Sequence, residues 1–245
     1  MPDDILKNIA TIQARIKASC ERCHRHPSSV KLLLATKTVT PERIALALQA
    51  GHTLIAENRI QELKEKHAAL QSWPHTNHFI GHLQTNKVKE ILKYDVACLQ
   101  SLDRIALAQK LHERLLAAKK TLDVLIQVNT SGEASKFGIA PEEALTLTKQ
   151  VAALPTLKIK GLMTIGIFSA DTEKVRSCFQ LLHSIKNEIA SAQIPEVSMQ
   201  ELSMGMSGDL EVAIEEGATI IRVGTAIFGK RDTPDSYYWN EQSDK

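Results

Sequence analysis

Apolar positions along the chain alternate between two periods. In residues 3–23, Ile5, Ile9, Ile12 and Ile16 recur three or four apart, the spacing of one helical face, and Pro27 closes that region. The apolar run VKLLLATKT at 30–38 then predicts a strand. Thr40 and Pro41 predict an N-cap followed by proline at the first helical position, with Gly51 closing that helix. The same alternation continues to the end of the chain. Further strands are predicted at 53–58, 78–81, 96–100, 122–129, 158–166, 197–203 and 219–224. Further helices are predicted at 59–70, 84–94, 103–119, from 141 onward, 172–192 and 207–216. Eight strands alternating with helices within 245 residues predict a parallel sheet closed into a single (β/α)8 TIM barrel, with the first helix as an extra element. A doubly wound open sheet is the rival, but no G-x-G-x-x-G follows the first strand, so its dinucleotide-binding form has no support.

Composition then removes whole classes. A hydrophobic fraction of 43% excludes a disordered chain, and a net charge of +2 is too balanced to point to nucleic acid. No stretch approaches the roughly 20 apolar residues of a membrane span, and the opening MPDDILKN has no apolar core of a secretory signal. Four cysteines do not make a disulfide framework, so a reduced cytoplasmic protein is expected. Residues 1–232 are expected to form the barrel and 233–245 a polar tail. Cys20, Cys23 and His24 match the C-x-x-C-H haem pattern, and with His26 they raise the question of zinc. No second C-x-x-C or H-x₃-H completes a tetrahedral set, so the cluster reads as coincidence at a helix end. Lys87, Lys89 and Lys93 read as a solvated face.

A (β/α)8 barrel carries its site at the C-terminal ends of its strands. That rule selects Lys37, Glu57, Asn58, Gly81, His82, Asn129–Ser131, residues 163–166, residues 203–207 and residues 222–225. Lys37 ends an apolar strand. By position alone it is a snorkelling lysine, but a desolvated amine can also condense with a carbonyl. The loops after the last two strands, SMGMSG and VGTA, offer Ser203, Gly205, Ser207, Gly224 and Thr225, the glycine and hydroxyl composition of a phosphate cradle. Arg222 supplies a fixed cationic donor, its alternative being an ion pair with Glu201 or Glu57. An amine, a phosphate cradle and an arginine in one barrel mouth fit a phosphorylated aldehyde, and pyridoxal phosphate matches all three. Lys136 is a second candidate amine, with a solvated loop charge the preferred reading. His78 and His82 are read as structural imidazoles, with His82 within reach of the mouth. Met163, Met204 and Met206 stand as core fillers or neighbours of a ring.

At this point the sequence closely resembles the pyridoxal phosphate homeostasis family, nearly end to end. The resemblance is carried by LLLATKTVTPERI, AENRIQE, HFIGHLQTNK, VLIQVNTSGEASKFGI, LKIKGLMTIG, ELSMGMSGDLEVAIEEG and IRVGTAIFGKRD. The resemblance implies a barrel similar to the N-terminal domain of alanine racemase, without that enzyme's second domain. It implies that Lys37 forms the internal aldimine with pyridoxal 5′-phosphate and that Asn58 approaches the ring. Ser203, Ser207, Gly224 and Thr225 would hold the phosphate, and Arg222 would face the pyridine nitrogen. Two positions depart from the family pattern: Thr36 stands where serine is usual and Ala56 where glycine is usual. The implied role is buffering and delivery of the cofactor to apo-enzymes, without efficient catalysis. Racemisation needs a second acid/base, and the tyrosines, Tyr94, Tyr237 and Tyr238, are not at strand ends. A minimal racemase or lyase, and a phosphosugar barrel enzyme using Lys37 as an aldolase-type amine, are the alternatives. A monomer is expected, with no nucleic acid and no membrane as partner.

Overall fold

The computed structural model describes residues 2–230, so the expected tail at 233–245, with Tyr237 and Tyr238, lies outside the described residues. Eight parallel strands close into a barrel in the order β1 to β8. They are β1 (Lys31–Ala35), β2 (Leu54–Glu57), β3 (Thr76–Phe79), β4 (Val96–Leu102), β5 (Leu122–Gln127), β6 (Leu157–Met163), β7 (Glu201–Ser203) and β8 (Ile220–Val223). Closure is made by β1 against β8, with Leu33 opposite Arg222. Helix α1 (Pro2–Arg22) precedes the barrel. The crossovers are α2 (Pro41–Gln49), α3 (Ile60–Leu70), α4 (Val88–Ile91), α5 (Ile105–Ala118), α6 (Ala144–Ala152), α7 (Thr172–Ser191) and α8 (Leu210–Glu215), and α9 (Thr225–Phe228) follows β8.

The main core lies between strands and helices, and Ile5, Ile9, Ile12 and Ile16 of α1 are all buried in it. A smaller cluster fills the barrel axis: Leu33, Ala56, Cys98, Leu125, Met163 and Ile220, all strand residues on alternate positions. The same alternation aims positions 31, 33, 35 and 37 inward, which is how the sequence delivers Lys37 to the mouth.

Element boundaries differ from expectation where the chain turns early. Strand β1 stops at Ala35, because residues 36–39 close a turn with Val39 N–H on Thr36 O at 2.9 Å and Thr38 at φ +65°. The helix expected at 84–94 is a 3-10 turn (Thr85–Lys87) and the single turn α4, with Thr85 and Asn86 as weak helix formers at its start. Strand β7 keeps only Glu201–Ser203 of the expected 197–203. Helix α8 begins at Leu210 rather than 207, because Asp209 Oδ1 accepts the Met206 N–H at 2.6 Å and holds 206–209 as a turn.

Candidate functional site

A cavity of about 290 Å³ opens at the C-terminal ends of the strands, near the lower end of small-ligand sites. Lys37, Asn58, Ser207, Arg222, Gly224 and Thr225 all line it. Met163 and Met206 lie in its wall, whereas Met204 is in the core behind it.

The corner at the ends of β7 and β8 is built from backbone and hydroxyls. Ser207 Oγ lies 3.5 Å from Thr225 Oγ1, with Gly208 and Gly224 beside them. Thr225 opens α9, where the first N–H groups have no acceptor within the helix. Helix α1 braces this corner from behind: Arg15 donates to Glu211 at 2.7 Å and to Ser207 O at 3.1 Å, and Asn8 donates to Ile227 O at 3.0 Å.

Ser203 does not line the cavity. Its side chain is fully buried one layer below, where it accepts from Arg222 Nη1 at 2.9 Å and donates to Gln100 Oε1 at 2.6 Å. The strand-end rule places Ser203 with the phosphate cradle, but β7 ends there and it is Ser207, farther along the loop, that lines the mouth. Ser203 therefore belongs to a polar layer that fixes the arginine. Arg222 Nη2 also donates to Thr164 O at 2.7 Å, and Gln100 Nε2 meets His78 Nδ1 at 2.7 Å. The direction of this chain is set from one end. Arginine can only donate, so Ser203 donates onward to the Gln100 oxygen, and the Gln100 amide donates to an unprotonated His78 Nδ1. Burial pushes His78 down to about 4, consistent with that neutral imidazole. Burial also pulls the Arg222 guanidinium down to about 10, opposed by Asp209, and it stays charged at neutral pH. Neither expected ion-pair partner of Arg222 serves: Glu201 pairs with Lys31 and accepts from Thr219, and Glu57 pairs with Lys66.

The opposite wall is apolar and aromatic. His82 stacks on Phe137 at 4.0 Å, its Nδ1 is 3.5 Å from Asp103 Oδ2, and that nitrogen has no hydrogen-bond partner among the described residues. It is thus a cavity-wall group rather than an imidazole bonded to backbone. Lys136 is not a solvated loop charge either: it is tied to Gly166 O at 2.7 Å, to Glu133, and lies over the Phe168 ring at 4.9 Å. It stands outside the cavity lining. The Asn58 Oδ1 is buried without a hydrogen-bond partner among the described residues. Gly81 makes this wall possible, because a Cβ there would lie 1.8 Å from Asn58 O.

Asp209, Gln100, Phe137 and Phe168 are site components that sequence reasoning missed, whereas Thr164 lies in the strand-end stretch 163–166 that it selected. Inward parity on the strand at 96–100 was the available signal for Gln100; the two aromatics sit in loops where period says nothing. Cys20 is buried on the inner face of α1 and Cys23 Sγ donates to Ser19 O at 2.9 Å; no metal-binding group of three occurs among the described residues. Tyr94 lies away from the mouth, edge-on to His67 at 5.4 Å.

Fold and site define a barrel domain of the alanine racemase type. The family model "Alanine racemase, N-terminal domain" matches residues 7–232. An alanine racemase structure from Clostridium difficile superposes with a TM-score of 0.73 at 16% identity, over 95% of this chain and 58% of that one. More specific likeness comes from pyridoxal phosphate homeostasis proteins. That of Aquifex aeolicus is 42% identical over 225 residues, covering 92% of this chain and 97% of the relative. That of Escherichia coli K12 is 38% identical over 233 residues, covering 94% and 98%. The structure of PipY from Synechococcus elongatus with pyridoxal phosphate bound has a TM-score of 0.80 at 30% identity, over 92% of this chain and 100% of that one. The chain belongs to the family of pyridoxal phosphate homeostasis proteins.

Proposed function

We propose that the cavity binds pyridoxal 5′-phosphate, that Lys37 anchors it as a Schiff base, and that the protein buffers the cofactor and delivers it to apo-enzymes. One observation carries the reading: an amine, a hydroxyl and glycine cradle and a buried guanidinium line a single cavity. The residues present fit the group. Two hydroxyls 3.5 Å apart beside two glycines suit a phosphate, and the unpaired buried oxygen of Asn58 calls for a polar partner inside the cavity. When bound, pyridoxal phosphate supplies an aldehyde that condenses reversibly with a primary amine and releases water. Lys37 presents that amine from the inner face beyond β1. Ser207, Gly208, Gly224 and Thr225 hold the phosphate, and Arg222 donates toward the ring nitrogen, held in place by Ser203 and Thr164. An arginine there keeps the nitrogen unprotonated, which makes a poor electron sink and favours storage over turnover. The open mouth suits release.

We place the protein as a cytoplasmic monomer with no nucleic acid or membrane partner. The test is transfer. Loaded protein is mixed with an apo-enzyme that requires the cofactor, and a panel of amino acids is assayed for racemisation. Reconstitution with racemisation at background is expected. Racemisation near the ordinary enzyme range, about 10 s⁻¹, would overturn the non-catalytic reading. His82, beside Asp103 in the cavity wall, favours a second reading as a minimal racemase, since it is placed to serve as the second acid/base. Loss of any such turnover in His82→Gln would establish it.

A further inference from the structure

The turn carrying Lys37 is gripped on both sides by side chains from β2 and α3. On one side, Thr36 Oγ1 donates to Glu57 Oε1 at 2.6 Å and Lys66 Nζ donates to Thr36 O at 2.8 Å. On the other, the Thr38 N–H donates to Glu62 Oε2 at 3.1 Å. The three charged groups are joined: Lys66 Nζ is 2.8 Å from Glu57 Oε1 and 2.5 Å from Glu62 Oε2. Lys66 and Glu57 are almost fully buried, at 6% and 2% exposure. Burying charges is unfavourable, and such groups are not needed merely to fill the space between a helix and a strand. The same turn holds Thr38 at φ +65°, a region β-branched residues rarely enter and that persists only when the surroundings over-determine it.

We propose that Glu57, Lys66 and Glu62 form a clamp that positions Lys37, fixing where its amine enters the cavity. They act through the backbone at 36 and 38 and are positioning residues; Lys37 alone forms the covalent bond. The inference rests on the proposed role of Lys37. It explains why threonine can stand at position 36 where serine is usual: the clamp needs a hydroxyl, and both supply one.

The bond at issue forms between Lys37 Nζ and the cofactor aldehyde carbon, with the carbonyl oxygen leaving as water. The test compares Thr36→Ser, Thr36→Val and Glu62→Ala in the full chain. Substituting Lys66 alone would strand two carboxylates, so it is avoided. Three quantities are read: the rate of covalent capture of pyridoxal phosphate, the affinity for pyridoxine 5′-phosphate, which has no aldehyde, and labelling of Lys37 by acetic anhydride in cofactor-free protein, followed by peptide mass. Loss of one clamp hydrogen bond is expected to slow capture and change Lys37 labelling by about tenfold in Thr36→Val and Glu62→Ala. Thr36→Ser should stay within about twofold, and affinity for the alcohol should be unchanged in all three. Lower thermal stability in Thr36→Val and Glu62→Ala with capture and labelling as in the parent would overturn the clamp. Absence of any adduct on parental Lys37 would instead sink the cofactor reading, while the acetic anhydride labelling would still report on the clamp.

Discussion

The two corners of the cavity are held by different physics. The cradle of Ser207, Gly208, Gly224 and Thr225 is made of backbone and small hydroxyls, braced from outside by α1 through the half-exposed Arg15–Glu211 pair. The Lys37 corner is braced from inside by charges removed from water, with Glu57 pushed up to about 7 by burial against the pull of Lys66. An anion site must tolerate an arriving and leaving charge, and donors that remain wet are suited to that. An amine that must meet one carbon needs a fixed approach, and a dry network supplies it.

Lys37→Met breaks the comparison most severely. Covalent capture should vanish while the cradle still binds pyridoxine 5′-phosphate with parental affinity, measured by titration calorimetry. Gly81→Ala is next, because a Cβ 1.8 Å from Asn58 O forces the β2 and β3 ends apart. Urea unfolding should show a loss of about 3 kcal/mol or more. The polar layer under both corners gives a pH signature. His78 stays neutral in the fold down to about 4, whereas the unfolded chain takes up its proton below 6.5, so stability falls as pH drops through that window. The difference in stability between the parent and His78→Gln should change by up to about 3 kcal/mol from pH 7.5 to 4. Arg15→Met should have the smallest effect: about fivefold weaker phosphate binding, with capture at saturating cofactor unaltered.

What the sequence revealed follows the same division. Strand and helix alternation made the barrel legible, and the rule that barrel sites sit at strand C-termini picked out Lys37, Asn58, Arg222 and both cradle loops from contiguous motifs. The same rule put Ser203 in the phosphate cradle, but it does not say how high in the barrel a short strand ends, so its place beneath Arg222 was not visible. Groups that meet across elements left no local signal. Lys66 reaches Thr36 from thirty positions away, and Asp209 serves both its own turn and the field around Arg222. Lys136 looked like a loop charge because nothing in its neighbourhood announces the Gly166 carbonyl and Phe168 ring that hold it.

The most direct test is borohydride reduction of the cofactor-loaded protein with peptide mass mapping. Loss of the visible absorption band and a single pyridoxyl adduct on Lys37 are expected. An adduct on Lys136, a scatter over surface lysines, or no adduct at all would contradict the anchoring at Lys37.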